Sequence, residues 1–343
     1  MRFGIASGFL WGLDTVILPV QADLGIALTM GAFIGTPEAI AFAAIASAFM
    51  HDAACAIWLF LYMGVRRRLG DTLRALKTRS GKVVMLGALL GGPLGMTGYL
   101  VAINNIGAGY TAIISAFYPA FGTFMAFVLL KERMRPRQLV ALACALAGVM
   151  VMGYATSGDS SVGNAALGLV GAIVCVVGWG SEAVLCAWGM RDDAVDNETA
   201  LQIRETTSAI VYAVVVLPAF GAWAFTASAL PSISTAVVVL SGLAGAASYL
   251  FYYKGIATIG AARCMALNIT YSAWAVVFGL VLLGSVPTVV QIVCCLVIMA
   301  RCLRHATGTS FSVARRPLCP RTRHKGRASL RGLALGAFGC AVA

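Results

Sequence analysis

The sequence predicts an all-α polytopic membrane protein, with ten transmembrane helices arranged as two inverted five-helix repeats. Three observations carry this. Of 343 residues, 60% are hydrophobic and 11% charged, where a soluble domain has about 25% charged; mean hydropathy is +0.89. Apolar runs long enough to cross a bilayer recur along the chain. The basic residues gather at one side of those runs. The formal net charge of +12 would suit a nucleic-acid binder only on a polar body, so nucleic acid is excluded as a partner.

A helix needs about 20 apolar residues to cross a hydrocarbon core ~30 Å thick. Runs of that kind occupy 3–21, 37–64, 82–103, 109–130, 138–154, 165–190, 204–226, 235–257, 263–283 and 286–301. They are continuous and rich in Leu, Ala, Val and Gly, unlike the alternating segments of a membrane barrel. The first run carries Asp14 and lacks a clear A-x-A site, so it reads as a retained helix rather than a signal peptide.

With the N-terminus inside, every Lys and Arg falls on the inner side. The groups are Arg2, then Arg66 to Lys82, Lys131 to Arg137, Arg191 and Arg204, Lys254 and Arg263, and finally Arg301 to Arg331. The positive-inside rule then predicts a multi-pass protein of the cell (inner) membrane with both termini cytoplasmic.

Residues 102–148 align with 255–301 at a constant offset of 153. Matches include Ile103 with Ile256, Gly107 with Gly260, Tyr118 with Tyr271, and Gln138 with Gln291. Trp11-Gly12-Leu13-Asp14 matches Trp179-Gly180-Ser181-Glu182. Two repeats follow, 1–154 and 155–301. Five is odd, so the second enters the membrane from the opposite side, as in many secondary transporters. Residues 302–343 form a basic tail without acids. It reads either as a cytoplasmic polybasic segment drawn to anionic lipid or as a stretch in a shifted reading frame. The second is favoured, because Arg301 and Arg304 interrupt the tenth run.

The opening Trp-Gly of each half, the five-plus-five spans, and the stretch 106–152 with Pro119, Glu132 and Gly148 resemble the drug/metabolite transporter superfamily, EamA type. The resemblance covers about residues 1–300, and Ser272, Ser285 and Arg301 replace the motif residues in the second half. It implies spans 1–4 and 6–9 around a central cavity, spans 5 and 10 outside it, and export or uptake of small metabolites.

A charge at the bilayer centre costs at least ~2.5 kcal/mol, so acids inside spans are candidates for function. Asp14 and Glu182 occupy equivalent places about 10–12 Å from a span end at ~1.5 Å per residue. They are expected to face one cavity, where neighbouring carboxylates raise each other's proton affinity. Structural hydrogen bonding is the competing reading. His51 and Asp52 lie mid-span as a candidate proton relay, or as a helix–helix hydrogen bond. Glu38 is expected to favour its helix dipole.

Trp11 and Trp179 are candidate faces for a substrate cation. Tyr118, Tyr271, Asn268 and Trp274 are candidate cavity residues. Pro119 and Glu132 mark a structural hinge, the latter salt-bridged beside Lys131 and Arg133. Gly4, Gly8 and Gly12, and likewise Gly87, Gly91 and Gly95, predict close helix packing. No cofactor, metal site or disulfide is expected.

The expected function is a secondary transporter of small organic solutes or drugs, working by alternating access with protons as coupling partner. Membrane lipid is a further partner and a homodimer is left open. A membrane-embedded enzyme or a non-transporting structural protein are the alternatives; the sequence offers no nucleophile-and-base set for the first.

Overall fold

Among the described residues, long helical segments follow one another in the order that the apolar runs predict. The computed structural model describes residues 2–21, 37–156, 163–191 and 195–307. In chain order the helices are α1 (Arg2–Gln21), α2 (Pro37–Val65), the short α3 (Leu69–Leu76), α4 (Arg79–Gly107), α5 (Gly109–Leu130), α6 (Pro136–Thr156), α7 (Ala165–Gly189), α8 (Asn197–Phe220), the short α9 (Trp223–Ala229), α10 (Ile233–Ile259), α11 (Ala261–Leu283) and α12 (Val289–Thr307). Among the described residues there is no strand, and eight helices are long and apolar enough to cross a membrane. The long segments outside that eight are α1 and α12; the apolar part of α12 is Val289–Ala300. Most of the predicted tail, residues 308–343, lies outside the described residues, as does the side chain of Glu38.

Three boundaries differ from expectation. The seventh segment begins at Asn197, not at Arg204. Asp196 caps it, accepting from the Thr199 amide at 2.9 Å, so Arg204 lies two turns inside the helix instead of in a basic loop. The segment ends at Gly221, left-handed at φ 67°, rather than running to 226. The tenth helix continues past Arg301 and Arg304 to Thr307, where the sequence predicts an interruption. An arginine does not break a helix on its own.

Four local structures repeat at the offset of 153. Gly107 has φ 78° and ψ 161°, and Gly260 has φ 92° and ψ 159°, a region that is almost closed to residues with a Cβ. Each lets the chain leave one helix and enter the next without a loop. Helices α5 and α11 then break at Ala116–Phe117 and Ile269–Thr270. Pro119 follows the first break, but Ser272 stands at its counterpart. There the hydroxyls of Thr270 and Ser272 donate to Leu267 O (2.9 Å) and Ile269 O (2.8 Å), which satisfies carbonyls that would otherwise lie bare in an apolar surround.

The same helices end on left-handed Lys131 (φ 57°) and Gly284 (φ 65°). Their 6→1 bonds run from Glu132 N to Ala126 O (3.2 Å) and from Ser285 N to Gly279 O (3.1 Å). Finally, Gln138 and Gln291 accept from the amides of Arg135 (2.9 Å) and Thr288 (2.8 Å).

The two halves exchange their first helices. Helix α1 packs against α10 and α11, and α7 packs against α4 and α5. Helices α2 and α8 touch each other, and each also meets the third segment of the opposite half; α6 packs on α12. The glycine faces permit this. Cβ atoms on Gly4 and Gly12 would meet Leu267 and Trp274 of α11, and one on Gly95 would meet Trp179 of α7. Close approach replaces the hydrophobic drive that is missing between helices in lipid.

At the basic end, Arg68 ties α2 to the start of α8. It binds Asp71 (2.9 Å), Glu198 (2.5 Å) and Asp196, while Arg66 binds Glu198 at 3.0 Å. Burial opposes ionisation of Asp196, but the Thr199 amide and Arg68 outweigh it and hold its pKa below the ordinary carboxylate value.

Gly260→Ala should destabilise the fold by about 1–3 kcal/mol, from the strain of its backbone region and from the meeting of its Cβ with the Glu132 carboxylate. Gly284→Ala, with open space around it, should cost about 1–2 kcal/mol from the left-handed backbone alone. Thermal unfolding in detergent checks both; equal and negligible losses would mean that the helix junction does not need its glycine.

Candidate functional site

Six ionisable side chains from four helices form one buried chain at the centre of the bundle. It begins at Asp14 on α1, which is 3% exposed and accepts from the Ser241 hydroxyl of α10. His51 on α2 follows, with Nε2 3.2 Å from Asp14 Oδ1 and Nδ1 3.7 Å from Asp52 Oδ1. Asp52 accepts from the Ser208 hydroxyl of α8 at 2.5 Å and lies 3.8 Å from Arg204 Nη1.

The Arg204 guanidinium is the hub of the other end. Its Nε donates to Glu182 Oε1 on α7 at 2.8 Å, its Nη1 to Glu205 Oε2 at 2.7 Å, and its Nη2 to the Tyr249 hydroxyl at 3.3 Å. It also stands 4.7 Å from the centre of the Tyr249 ring, which attracts cations through the ring quadrupole. Tyr253 donates to Glu182 Oε1 at 3.4 Å. Arg204 is 4% exposed and Glu205 is fully buried.

Glycine makes the room. A Cβ on Gly91 would fall on the Glu182 carboxylate, and one on Gly92 on the Ser208 hydroxyl. Both lie in a π-helical turn, Leu90–Met96, that contains Pro93. Proline removes a backbone donor, and the widened turn brings the backbone of α4 up to α7 and α8. On the other side, a Cβ on Gly245 would lie 2.9 Å from His51 Nε2.

The structure therefore brings together Asp14, His51, Asp52 and Glu182. Asp14 and Glu182 are joined through His51, Asp52 and Arg204, each beside its own basic partner, rather than forming a carboxylate pair. Trp11 packs edge-on against Tyr249, with ring centres 4.9 Å apart, one ring away from Arg204. Trp179 lies against Tyr99 (5.2 Å) and perpendicular to Tyr118 (5.8 Å).

The remaining candidate residues lie off the chain. Asn268 accepts from Ser7 at 2.9 Å. The Tyr271 backbone would meet a Cβ on Gly8 or Gly12. Trp274 packs on Phe9 at 5.0 Å. Pro119 opens the second part of α5. Glu132 accepts from the Ala261 and Ala262 amides, both at 3.1 Å, so it caps α11 instead of pairing with Lys131 or Arg133. Burial raises its pKa, against those two amide bonds and Arg191.

Sequence patterns do not single out Arg204, Glu205, Ser208, Ser241 or Tyr249. A rule that ends spans at charged residues puts Arg204 and Glu205 outside the membrane. The signal that finds them is Asp196 three residues before Thr199, a capping pattern that starts the helix seven residues earlier.

The chain of groups holds four carboxylates against one guanidinium and one imidazole. Even with His51 charged, the cluster carries two more negative charges than positive ones. Such an arrangement is costly unless protons or an added cation complete it. Among the described residues, no group of three His, Cys, Asp or Glu is placed to hold a metal ion. Gly91→Ala should force Glu182 off Arg204 and cost about 1–3 kcal/mol by overpacking, whereas Gly70→Ala, with nothing near, should leave the thermal midpoint in detergent unchanged. Equal midpoints for the two variants would refute the tight fit at Gly91.

A profile of the EamA-like transporter family matches this chain twice, at residues 2–154 and 166–303. Protein LicB of Haemophilus influenzae is 29% identical over 199 residues, 57% of this chain and 65% of LicB, so the match spans less than two thirds of that relative. A solved protein structure, 19% identical, covers 89% of this chain and 96% of its own with a TM-score of 0.61, a likeness of fold. The two matched repeats and the apolar helices identify a multi-pass membrane protein, and the chain belongs to the EamA-like transporter family, within the drug/metabolite transporter superfamily.

Proposed function

We propose that this protein is a secondary active transporter that carries small organic cations across the cell membrane by alternating access, in exchange for protons. Ten spans in two inverted repeats, with both termini cytoplasmic, supply the two interchangeable halves such a cycle needs. The observation that carries the reading is the buried chain from Asp14 to Glu182, with its surplus of carboxylates over basic groups.

The chemistry follows from that surplus. A site that holds four carboxylates in an apolar surround is stable when protons occupy some of them, or when a cation lies among them. The two conditions are alternatives, and that is how protons and a cation can be exchanged. His51 has a carboxylate at each ring nitrogen, so it can pass a proton between Asp14 and Asp52 by accepting at one nitrogen and releasing at the other. Tyr249 and Trp11 add ring faces that favour a cation. The residues come from both halves, so a relative movement of the halves changes the site.

In proteoliposomes, an organic cation on the favoured side should drive proton movement. Asp14→Asn and Glu182→Gln should each abolish that movement while leaving folded protein in the membrane. His51→Gln should slow it by about 10²-fold or more, the usual scale of a lost proton-transfer group. Normal proton movement in both carboxylate variants would refute the exchange mechanism.

A further inference from the structure

The position of Arg204 says more about this site than its charge. Its guanidinium has what a cation receptor offers a ligand: carboxylates of Glu182 at 2.8 Å, Glu205 at 2.7 Å and Asp52 at 3.8 Å, and a tyrosine face at 4.7 Å. Three helices contribute these carboxylates, α2, α7 and α8, and the ring comes from α10. The group is dry, at 4% exposure. Gly91 and Gly92 open the space that the Glu182 carboxylate and the Ser208 hydroxyl occupy beside it.

We infer that Arg204 is a tethered cation that fills the substrate's place in the empty transporter, so that an arriving organic cation binds by displacing its guanidinium from Glu182 and Asp52. This rests on the cation-transport reading and specifies what regulates that site. The arrangement has two consequences. The empty protein retains part of its charge balance, so that it can rearrange without substrate only at the cost of holding Arg204 in place. The substrate class is set by what Arg204 imitates: a small cation with a guanidinium or ammonium head that donates several hydrogen bonds to carboxylates. Arg204 retains Glu205, the adjacent residue on its own helix, as a partner after displacement.

The direct test is calorimetric titration of the purified full-length chain in detergent with methylguanidinium. The wild type should bind weakly. Arg204→Gln, which removes the competitor and leaves the carboxylates, should bind about tenfold more tightly, equivalent to about 1.4 kcal/mol. Glu182→Gln added to Arg204→Gln should cancel that gain. Arg204→Lys, which retains a charge but not the planar fork that reaches several carboxylates, should fall between the two, and it carries the test if Arg204→Gln does not give a monodisperse protein. Binding by the wild type with no gain in either Arg204 variant overturns the tether alone. No binding by the wild type or by either variant overturns both the tether and the cation reading.

Discussion

The charge balance around Arg204 is the constraint on which the centre of this protein depends. Without the guanidinium, Glu182, Glu205 and Asp52 would be buried together with no basic group among them except His51 beside Asp52. Removing one partner of a buried ion pair typically costs about 3–5 kcal/mol, because it leaves a charge uncompensated. Much of the surrounding geometry serves this group. The π-helical turn and Gly91 bring α4 close to Glu182, Ser208 satisfies Asp52, and Tyr249 presents its ring. A less crowded neighbourhood would let in water and screen the interactions that hold the helices in register.

The repeat explains how the site is supported from both sides. Two junctions with the same glycine conformation, two helix breaks, two left-handed helix ends and two glutamine caps stand at one offset. Chemistry differs while geometry persists. Proline opens one break, while serine and threonine hydroxyls satisfy the other. Lysine takes one left-handed end and glycine the other. What is repeated is a backbone path, and several side-chain solutions satisfy it.

Much of this is legible in the sequence. Long apolar runs predict the order of the helices, and Asp14, His51, Asp52 and Glu182 stand out because a carboxylate inside an apolar run is costly unless it has a task. Arg204 and Glu205 are hidden by the same rule, since charge also marks where a span ends. Asp196 and Thr199 carry the local signal that separates the two cases. Partners such as Ser241 and Tyr249 have no signal at all: serine and tyrosine occur throughout these apolar runs, and their distance from Asp14 or Arg204 along the chain exceeds 40 residues. Trp274 and Asn268 are conspicuous by residue type alone, but helix packing turns them toward Phe9 and Ser7.

The exchange of first helices has a consequence for synthesis. Helix α1 is made first, yet the helices that bury it, α10 and α11, come more than 200 residues later. At roughly 5–20 residues per second, α1 waits on the order of ten seconds or more for its permanent neighbours. During that interval Asp14 has neither Ser241 nor the enclosing wall of α10. Until then the nascent chain has His51 of α2 as the early partner of Asp14, with that side of the carboxyl group still uncovered. The residue that closes one end of the finished ionic chain is thus half-enclosed early, and its enclosure is complete only when the last third of the chain arrives to cover it.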